Sequence, residues 1–249
     1  MKTQMQNQRY LLFARRLYRG FRFGFAFRGT TRTPYPARLC FGGKWVRFSR
    51  HGHQTEFHDL IDVLLDDAYG LRRIRRARTI VDIGANIGLF SSFARLRFPQ
   101  ATIHAYEPDP ITFRMAEQNL AGLATVYNAG VWSTDGAARI KRHGPSPLTN
   151  QVAPEEGGDV SLVSFRTVLD RAGGTIDLLK VDCEGAEWTF MKDPDLFRAV
   201  RAIRMEYHLV GGIQTVRHVH DLAVRLGYEI TKLEKNGPYH GILWLDRRP

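Results

Sequence analysis

The sequence predicts an α/β protein built on an open, Rossmann-like sheet of seven mostly parallel strands, closed at one edge by an antiparallel C-terminal hairpin strand. Three observations predict it. Short apolar runs, Ile80-Val81-Asp82-Ile83, Ile103-His104-Ala105-Tyr106 and residues 176–181, alternate with stretches of helical period, the order that builds βαβ units. The first run ends in the turn Gly84-Ala85-Asn86-Ile87-Gly88, where glycine lets the backbone reverse and approach a ligand before a helix opens. Two late apolar stretches, 228–234 and 241–246, are joined through Asn236-Gly237, a hairpin signal.

At 249 residues the chain has room for one generous α/β domain and an appendage. Its 43% apolar content is that of an ordinary globular protein. Cys40 and Cys183 stand far apart and in no ligand spacing, so neither a disulfide framework nor a zinc site is indicated and a reducing, cytoplasmic compartment is the expectation. The formal charge of +11 is unevenly placed. Of 36 Lys and Arg, twelve fall in residues 1–55, which hold no Asp or Glu, leaving 24 bases against the chain's 25 acids. The expected organisation is a basic, aromatic extension over 1–38, a hairpin and helix cap over 39–78, and a nearly neutral main domain over 79–249.

Within the extension, Tyr10, Phe13 or Ala14, Leu17, Tyr18 and Phe21 suit one face of a helix, with Arg15, Arg16, Arg19 and Arg22 around the other. Arginines interrupt every apolar run, so residues 7–28 read as neither a transmembrane segment nor a secretory signal. Peripheral contact with an anionic membrane at its inner face, a grip on a polyanion, docking of the aromatic face on the domain or on a second subunit of a homo-oligomer, and plain disorder all stay open. Pro34 and Pro36 mark a linker, and 39–48 alternates around Gly42-Gly43 as a hairpin would. His51, His53 and His58 lack framing ligands and read as a polar loop. Residues 56–69 look helical, burying Phe57, Leu60, Ile61, Leu64 and Leu65, and basic 72–78 reads as a solvated helix end.

Beyond the glycine turn come a helix over 89–98 stopped by Pro99, a strand over 101–107, a helix over 110–120 and a strand over 126–128. Asp135-Gly136 predicts a hairpin of 130–133 with 138–141, and 144–158, rich in Pro, Gly and Asn, reads as a mobile loop or substrate lid. Residues 161–165 and a helix over 166–172 precede the Gly173-Gly174 break. A fifth strand over 202–208 and an amphipathic helix over 213–226, ending at Gly227, complete the alternation.

The turn reads Gly-x-Asn-x-Gly, whereas the dinucleotide fingerprint asks for glycine where Asn86 and Leu89 stand, which argues against nicotinamide or flavin. Nineteen residues past Gly88 the next strand ends in Glu107, followed by Pro108 and Asp109, and an acid there can accept both hydroxyls of a ribose. Asp82 is placed to hold the turn or to meet a cationic amino group. Together these features fit S-adenosylmethionine. Lys180 lies near the end of the strand over 176–181, Asp182 and Glu184 share one side by alternation, and Glu206 and His208 end the fifth strand. Chemistry in open α/β sheets happens at such carboxyl ends.

These residues carry a family likeness. Val81-Asp82-Ile83-Gly84-Ala85-Asn86-Ile87-Gly88, Tyr106-Glu107-Pro108 and Asp177-Leu178-Leu179-Lys180-Val181-Asp182-Cys183-Glu184-Gly185-Ala186-Glu187 resemble the FkbM family of S-adenosylmethionine-dependent methyltransferases. The resemblance implies a class I methyltransferase fold and O-methylation of a hydroxyl, often on a sugar of a glycolipid or polysaccharide or on a secondary metabolite. It implies that Asp82, Gly84, Ala85, Asn86 and Gly88 shape the cofactor pocket, that Glu107 holds the ribose, and that Pro108 and Asp109 lie beside the adenosine. Lys180, Asp182 and Glu184 match its Lys-x-Asp-x-Glu-Gly-x-Glu segment.

Methyl transfer needs alignment and removal of a proton. Asp182 and His208 are the candidate bases, with Glu206 and Glu184 as orienting groups. Lys180 either stabilises an alkoxide or neutralises buried acids. Asp182, Glu184 and Glu206 are oxygen ligands able to converge on a divalent ion, but their spacing is not diagnostic and no metal is predicted. Two alternatives stand. One is an RNA methyltransferase whose basic leader tracks phosphates, disfavoured because an Asn/Asp-Pro-Pro-Tyr signature is missing and the main domain has no basic surplus. The other is a membrane-associated protein that binds S-adenosylmethionine without turnover.

Overall fold

The computed structural model describes residues 2–52, 55–141, 151–211 and 214–247. Helix α1, Lys2–Arg22, precedes a small hairpin of β1, Leu39–Phe41, with β2, Lys44–Val46, as the glycine pair predicts. Helix α2, Thr55–Leu60, continues into one widened π turn, Ile61–Asp66, and stops where Asp67 takes a left-handed conformation with φ 57°. The expected helix therefore ends short of Tyr69. Such a turn often marks a functional wall, and Asp62 and Val63 on it line the cleft described below. The basic stretch that follows is not simply solvated. Arg72 is held by the Leu64 carbonyl at 2.9 Å and stacks over Phe93.

The main domain then alternates. Strand β3, Thr79–Ile83, leads to α3, Leu89–Arg97; β4, Thr102–Tyr106, to α4, Pro110–Asn119; and β5, Thr125–Tyr127, to β6, Ala129–Trp132. After β7, Gly136–Lys141, β8, Gln151–Pro154, and β9, Val160–Ser164, comes α5, Phe165–Arg171. Strand β10, Ile176–Val181, is followed by the short helices α6, Glu187–Phe190, and α7, Pro194–Phe197. The chain finishes with β11, Val200–His208, α8, Val216–Leu226, β12, Tyr228–Lys235, and β13, His240–Arg247.

Seven strands form one sheet in the order β12-β13-β11-β10-β3-β4-β5. The pairs from β11 to β5 are parallel, and β13 runs antiparallel between β11 and β12, the predicted closure. Alternation distributes each strand between two cores, as a sheet covered on both faces requires. Ile80, Leu178, Ala202 and Trp244 face the core shared with α2 and α3, while Val81, Leu179, Ile203 and Leu245 face the core shared with α5, α7 and α8. Phe23 and Phe27, just past the leader helix, are buried in the first of these.

A second sheet, in the order β6-β9-β7-β8, corrects the expected hairpin of 130–133 with 138–141. Strand β9 lies between β6 and β7, parallel to one and antiparallel to the other. The cause is visible in the turn. Asp135 accepts the Ser164 N–H at 2.7 Å and contacts Thr167, so the turn residue ties down the end of β9 rather than closing a local pair. Part of the expected loop over 144–158 is strand β8, paired with β7, while residues 142–150 lie outside the described residues.

Candidate active site

The carboxyl ends of β3, β4, β10 and β11 open onto a cleft of ≈ 500 Å³. Its floor is the glycine turn, which needs three left-handed residues in five: Gly84 at φ 74°, Asn86 at φ 49° and Gly88 at φ 88°. Asparagine is among the few residues that enter this region at little cost, which accounts for Asn86 where a dinucleotide fold would carry glycine. Gly84 also has no room for a side chain, since a Cβ would sit 1.7 Å from the Asp182 carbonyl oxygen. The Gly84 and Ala85 N–H groups both donate to the Tyr106 carbonyl, at 3.0 and 2.9 Å, which welds the turn to the end of β4.

Glu107 completes that weld. It is buried, and its two carboxylate oxygens accept the N–H groups of Asn86 at 2.9 Å and Asp109 at 3.0 Å. Burial raises it to about 7. Each of its oxygens keeps a further lone pair for a ligand hydroxyl. Pro108 lines the cleft, its carbonyl held by Asn128 at 3.0 Å. Asp109 also borders the cleft, and its side chain caps α4 by accepting from Ile111 and Thr112. A glycine cradle, a buried acid at the second strand's end and an adjoining Pro108 wall fit an adenosine cofactor such as S-adenosylmethionine.

Asp82 and Gly88 do not reach the cleft. Asp82 is fully buried beneath the turn, accepting from Ser91 Oγ at 2.7 Å and facing Lys180 Nζ at 3.2 Å. Gly88 opens α3, where a Cβ would meet Leu120 at 2.8 Å. Lys180 Nζ in turn donates to the Gly84 carbonyl at 2.5 Å and lies 3.7 Å from Asp182. Burial works against its charge, but Asp82 and Asp182 outweigh that and keep its pKa above the ordinary lysine value. Asp82 thus acts on the turn through lysine.

The opposite side of the cleft is acidic. Asp182 Oδ2 accepts the Tyr69 hydroxyl at 2.8 Å and is also the oxygen nearer Lys180. Its Oδ1 takes no hydrogen bond from the other described residues. Glu184 arrives by a different route from the one expected. β10 ends at Val181, and a left-handed turn with φ 55° at Glu184 and 99° at Gly185 swings the carboxylate back toward Asp182. Alternation along an extended strand is therefore not what aligns the two acids. Asp182, Glu184 and His208 offer donor atoms all within 4.8 Å of one another, a set able to hold a divalent ion, with His208 where the sequence suggested Glu206. Glu206 borders the same space, raised to about 8 by burial and by Asp182.

Three contributors escaped the sequence reading. Glu187, fully buried at the start of α6, accepts both the backbone N–H of His208 at 2.7 Å and its Nδ1 at 3.3 Å. That bond turns Nε2 toward Glu184, 3.6 Å away. Burial opposes a charge on His208, yet the Glu187 bond and the surrounding carboxylates raise it to about 10. Asp59 accepts from the Asn86 side chain at 3.0 Å, and burial with the field of Asp182 raises it to about 8. Tyr69 is the third. Only Glu187 left a sequence signal, as the last acid of Lys180-x-Asp182-x-Glu184-Gly185-x-Glu187. Of the histidine cluster, His51 contacts Thr112 on the cleft wall at 3.0 Å, His58 is exposed, and His53 lies outside the described residues.

These shifts give a stability prediction. Glu184 is raised to about 7, and Asp59 and Glu206 to about 8, so each binds more protons folded than unfolded between its ordinary value and its folded one. Stability falls as pH rises across that span. His208, raised from 6.5 to about 10, contributes stability below 6.5 that is lost as pH climbs through 10, the same direction. The ligand-free protein is expected to melt lower at pH 9 than at pH 6, by at least about 5 °C. A midpoint that is flat or rises over this range contradicts the acid cluster.

Residues 82–230, from the first strand's acid into β12, match the model of the Methyltransferase FkbM domain. The chain is 30% identical over 212 residues to Methyltransferase sdnD of Sordaria araneosa, covering 69% of this chain and 81% of that protein. It is 27% identical over 167 residues to Methyltransferase 1 of Beauveria bassiana, covering 54% of this chain and 65% of that one. A third similarity, 44% over 46 residues and 18% of each chain, is to 31-O-demethyl-FK506 methyltransferase FkbM of Streptomyces tacrolimicus. With more than half its length matched and the cofactor cradle in place, the chain belongs to the FkbM family of S-adenosylmethionine-dependent methyltransferases.

Proposed function

We propose that the protein transfers a methyl group from S-adenosylmethionine to a hydroxyl oxygen of a polyhydroxylated acceptor, a sugar of a glycolipid or polysaccharide or a secondary metabolite. The observation that carries this reading is the convergence of Asp182, Glu184 and His208 within 4.8 Å beside the glycine turn, a group able to bind and deprotonate hydroxyls together. The Streptomyces relative, whose name assigns it methylation of an oxygen, supports the same reading. When bound, the cofactor supplies an activated methyl on a positive sulfonium.

The chain's residues then have separable tasks. Gly84 and Glu107 hold the cofactor against the floor. Asp182, with Oδ2 fixed by Tyr69, presents Oδ1 to the acceptor hydroxyl and takes the proton that this oxygen must lose on accepting the methyl group. His208, held charged by Glu187, orients Glu184 and the acceptor. Lys180 neutralises Asp82 and fixes the turn, and the acid cluster across the cleft would suit the positive charge of a bound sulfonium.

The deciding experiment supplies methyl-labelled S-adenosylmethionine to the purified protein with extracts of candidate acceptors, then treats the labelled product with mild alkali. Label that survives alkali and migrates with a sugar or polyol fraction is the expected result, because methyl ethers resist hydrolysis. Label released as methanol indicates a carboxyl ester, and label in nucleic acid supports the RNA alternative. The first outcome rejects hydroxyl methylation, and the second rejects a glycan or secondary-metabolite acceptor.

A further inference from the structure

Helix α1 meets the domain by its basic side. Arg16 pairs with Asp66 at 2.5 Å, Arg19 donates to the Leu65 carbonyl, and Gly20 is buried against the chain that follows. The apolar stripe is turned away. Tyr10 is 65% exposed, Leu17 45%, Tyr18 62% and Phe21 79%. At 100° per residue, Tyr10, Ala14, Leu17 and Phe21 fall within one narrow arc, and Tyr18 borders it. Arg15 and Arg22 lie together along the Tyr18 edge of the stripe and are exposed. A helix that spends arginines on its own domain and presents aromatics to solvent reverses the usual amphipathic arrangement.

The charge around the stripe selects its occupant. Residues 1–55 carry twelve bases and no acid, so a second copy seated there would bring like charges together. A nucleic acid would satisfy the arginines and leave the Leu17 and Phe21 stripe uncovered. An anionic bilayer interface satisfies both, taking Tyr, Phe and Leu at headgroup depth and arginine against phosphate. No described helix is long and apolar enough to cross a membrane, so the contact is one of lying on the surface. We propose that α1 docks on an anionic phospholipid surface through Tyr10, Leu17, Tyr18 and Phe21, with Arg15 and Arg22 engaging lipid phosphates. The turn that α1 grips through Asp66 also carries Asp62 and Val63 on the cleft wall, so docking sets the cleft beside the bilayer, in reach of a lipid-linked acceptor.

The test is co-sedimentation of the full chain with vesicles of phosphatidylcholine plus phosphatidylglycerol, against phosphatidylcholine alone. The wild type is expected to bind the anionic vesicles at least about tenfold better, an advantage reduced by salt. A Tyr10→Ser, Leu17→Ser, Phe21→Ser variant and, separately, an Arg15→Glu, Arg22→Glu variant should each lose at least about tenfold in partition. Their thermal midpoints and S-adenosylmethionine binding should be unchanged, since the altered side chains are exposed. The readout does not depend on turnover. Wild-type protein that ignores anionic vesicles, or a serine variant that partitions like wild type, overturns the proposal. So does a dimer, or an RNA complex, lost in these variants without any vesicle binding.

Discussion

Replacing Asp182 by Asn is expected to leave cofactor binding intact and to lower turnover by about 10²–10⁴-fold, the usual worth of a positioned proton acceptor. The substitution keeps an oxygen for the Tyr69 hydroxyl, now 2.8 Å from Oδ2, and removes the negative charge available to the acceptor's proton. Calorimetry with S-adenosylmethionine and a methyl-transfer assay separate the two effects. A variant with wild-type turnover removes Asp182 as the base, and a variant that also loses the cofactor makes it part of the floor instead.

Gly84→Ala should be severely damaging, since no other described glycine would bring a Cβ so close to a backbone atom. Its Cβ would lie 1.7 Å from the Asp182 carbonyl oxygen and 2.8 Å from that carbonyl carbon, both backbone atoms that no rotamer change can move. The left-handed φ of 74° adds to this. Overpacking and backbone strain together are worth about 3–5 kcal/mol, which for a chain of this size corresponds to a melting decrease of about 10 °C, with cofactor binding lost. Gly173→Ala is the control. Its φ of 78° is similar, but a Cβ there meets nothing within 4 Å, so only the conformational cost of about 1–2 kcal/mol applies. Equal effects at the two positions would show that the close approach to Asp182 is not what makes Gly84 necessary.

What could be read from the sequence was local in origin. The turn Gly84 to Gly88, the acid Glu107 and the order of strands rest on φ preferences and on periods of 2 and 3.6 residues, which neighbours along the chain determine. The missed contributors come from distant segments. Tyr69 reaches Asp182 across 113 residues, and Asp59 reaches Asn86 across 27. Nothing near Tyr69 or Asp59 distinguishes them from helix and loop residues packed for burial alone. Glu184 illustrates a different limit. Strand alternation predicted its side correctly for a reason that does not operate, because the strand ends at Val181 and a left-handed turn does the aiming. The order of the second sheet was hidden because Asp135 signals a turn whatever its side chain ties down.

The contact between Gly84 and the Asp182 carbonyl, reinforced by the Asp182 N–H on the Ile83 carbonyl at 3.0 Å, has a consequence for how such enzymes change. The donor floor and the proton-taking acid are parts of one rigid joint, although nearly a hundred residues separate them in the chain. A lineage acquiring a new acceptor has little freedom there. Its freedom lies in Trp132, Ile140 and Val152, cleft residues supplied by the second sheet, which hangs from the main one after β5 and can be lengthened or resurfaced without disturbing the joint. Diversity of acceptors on this scaffold is therefore expected to be written in that side sheet.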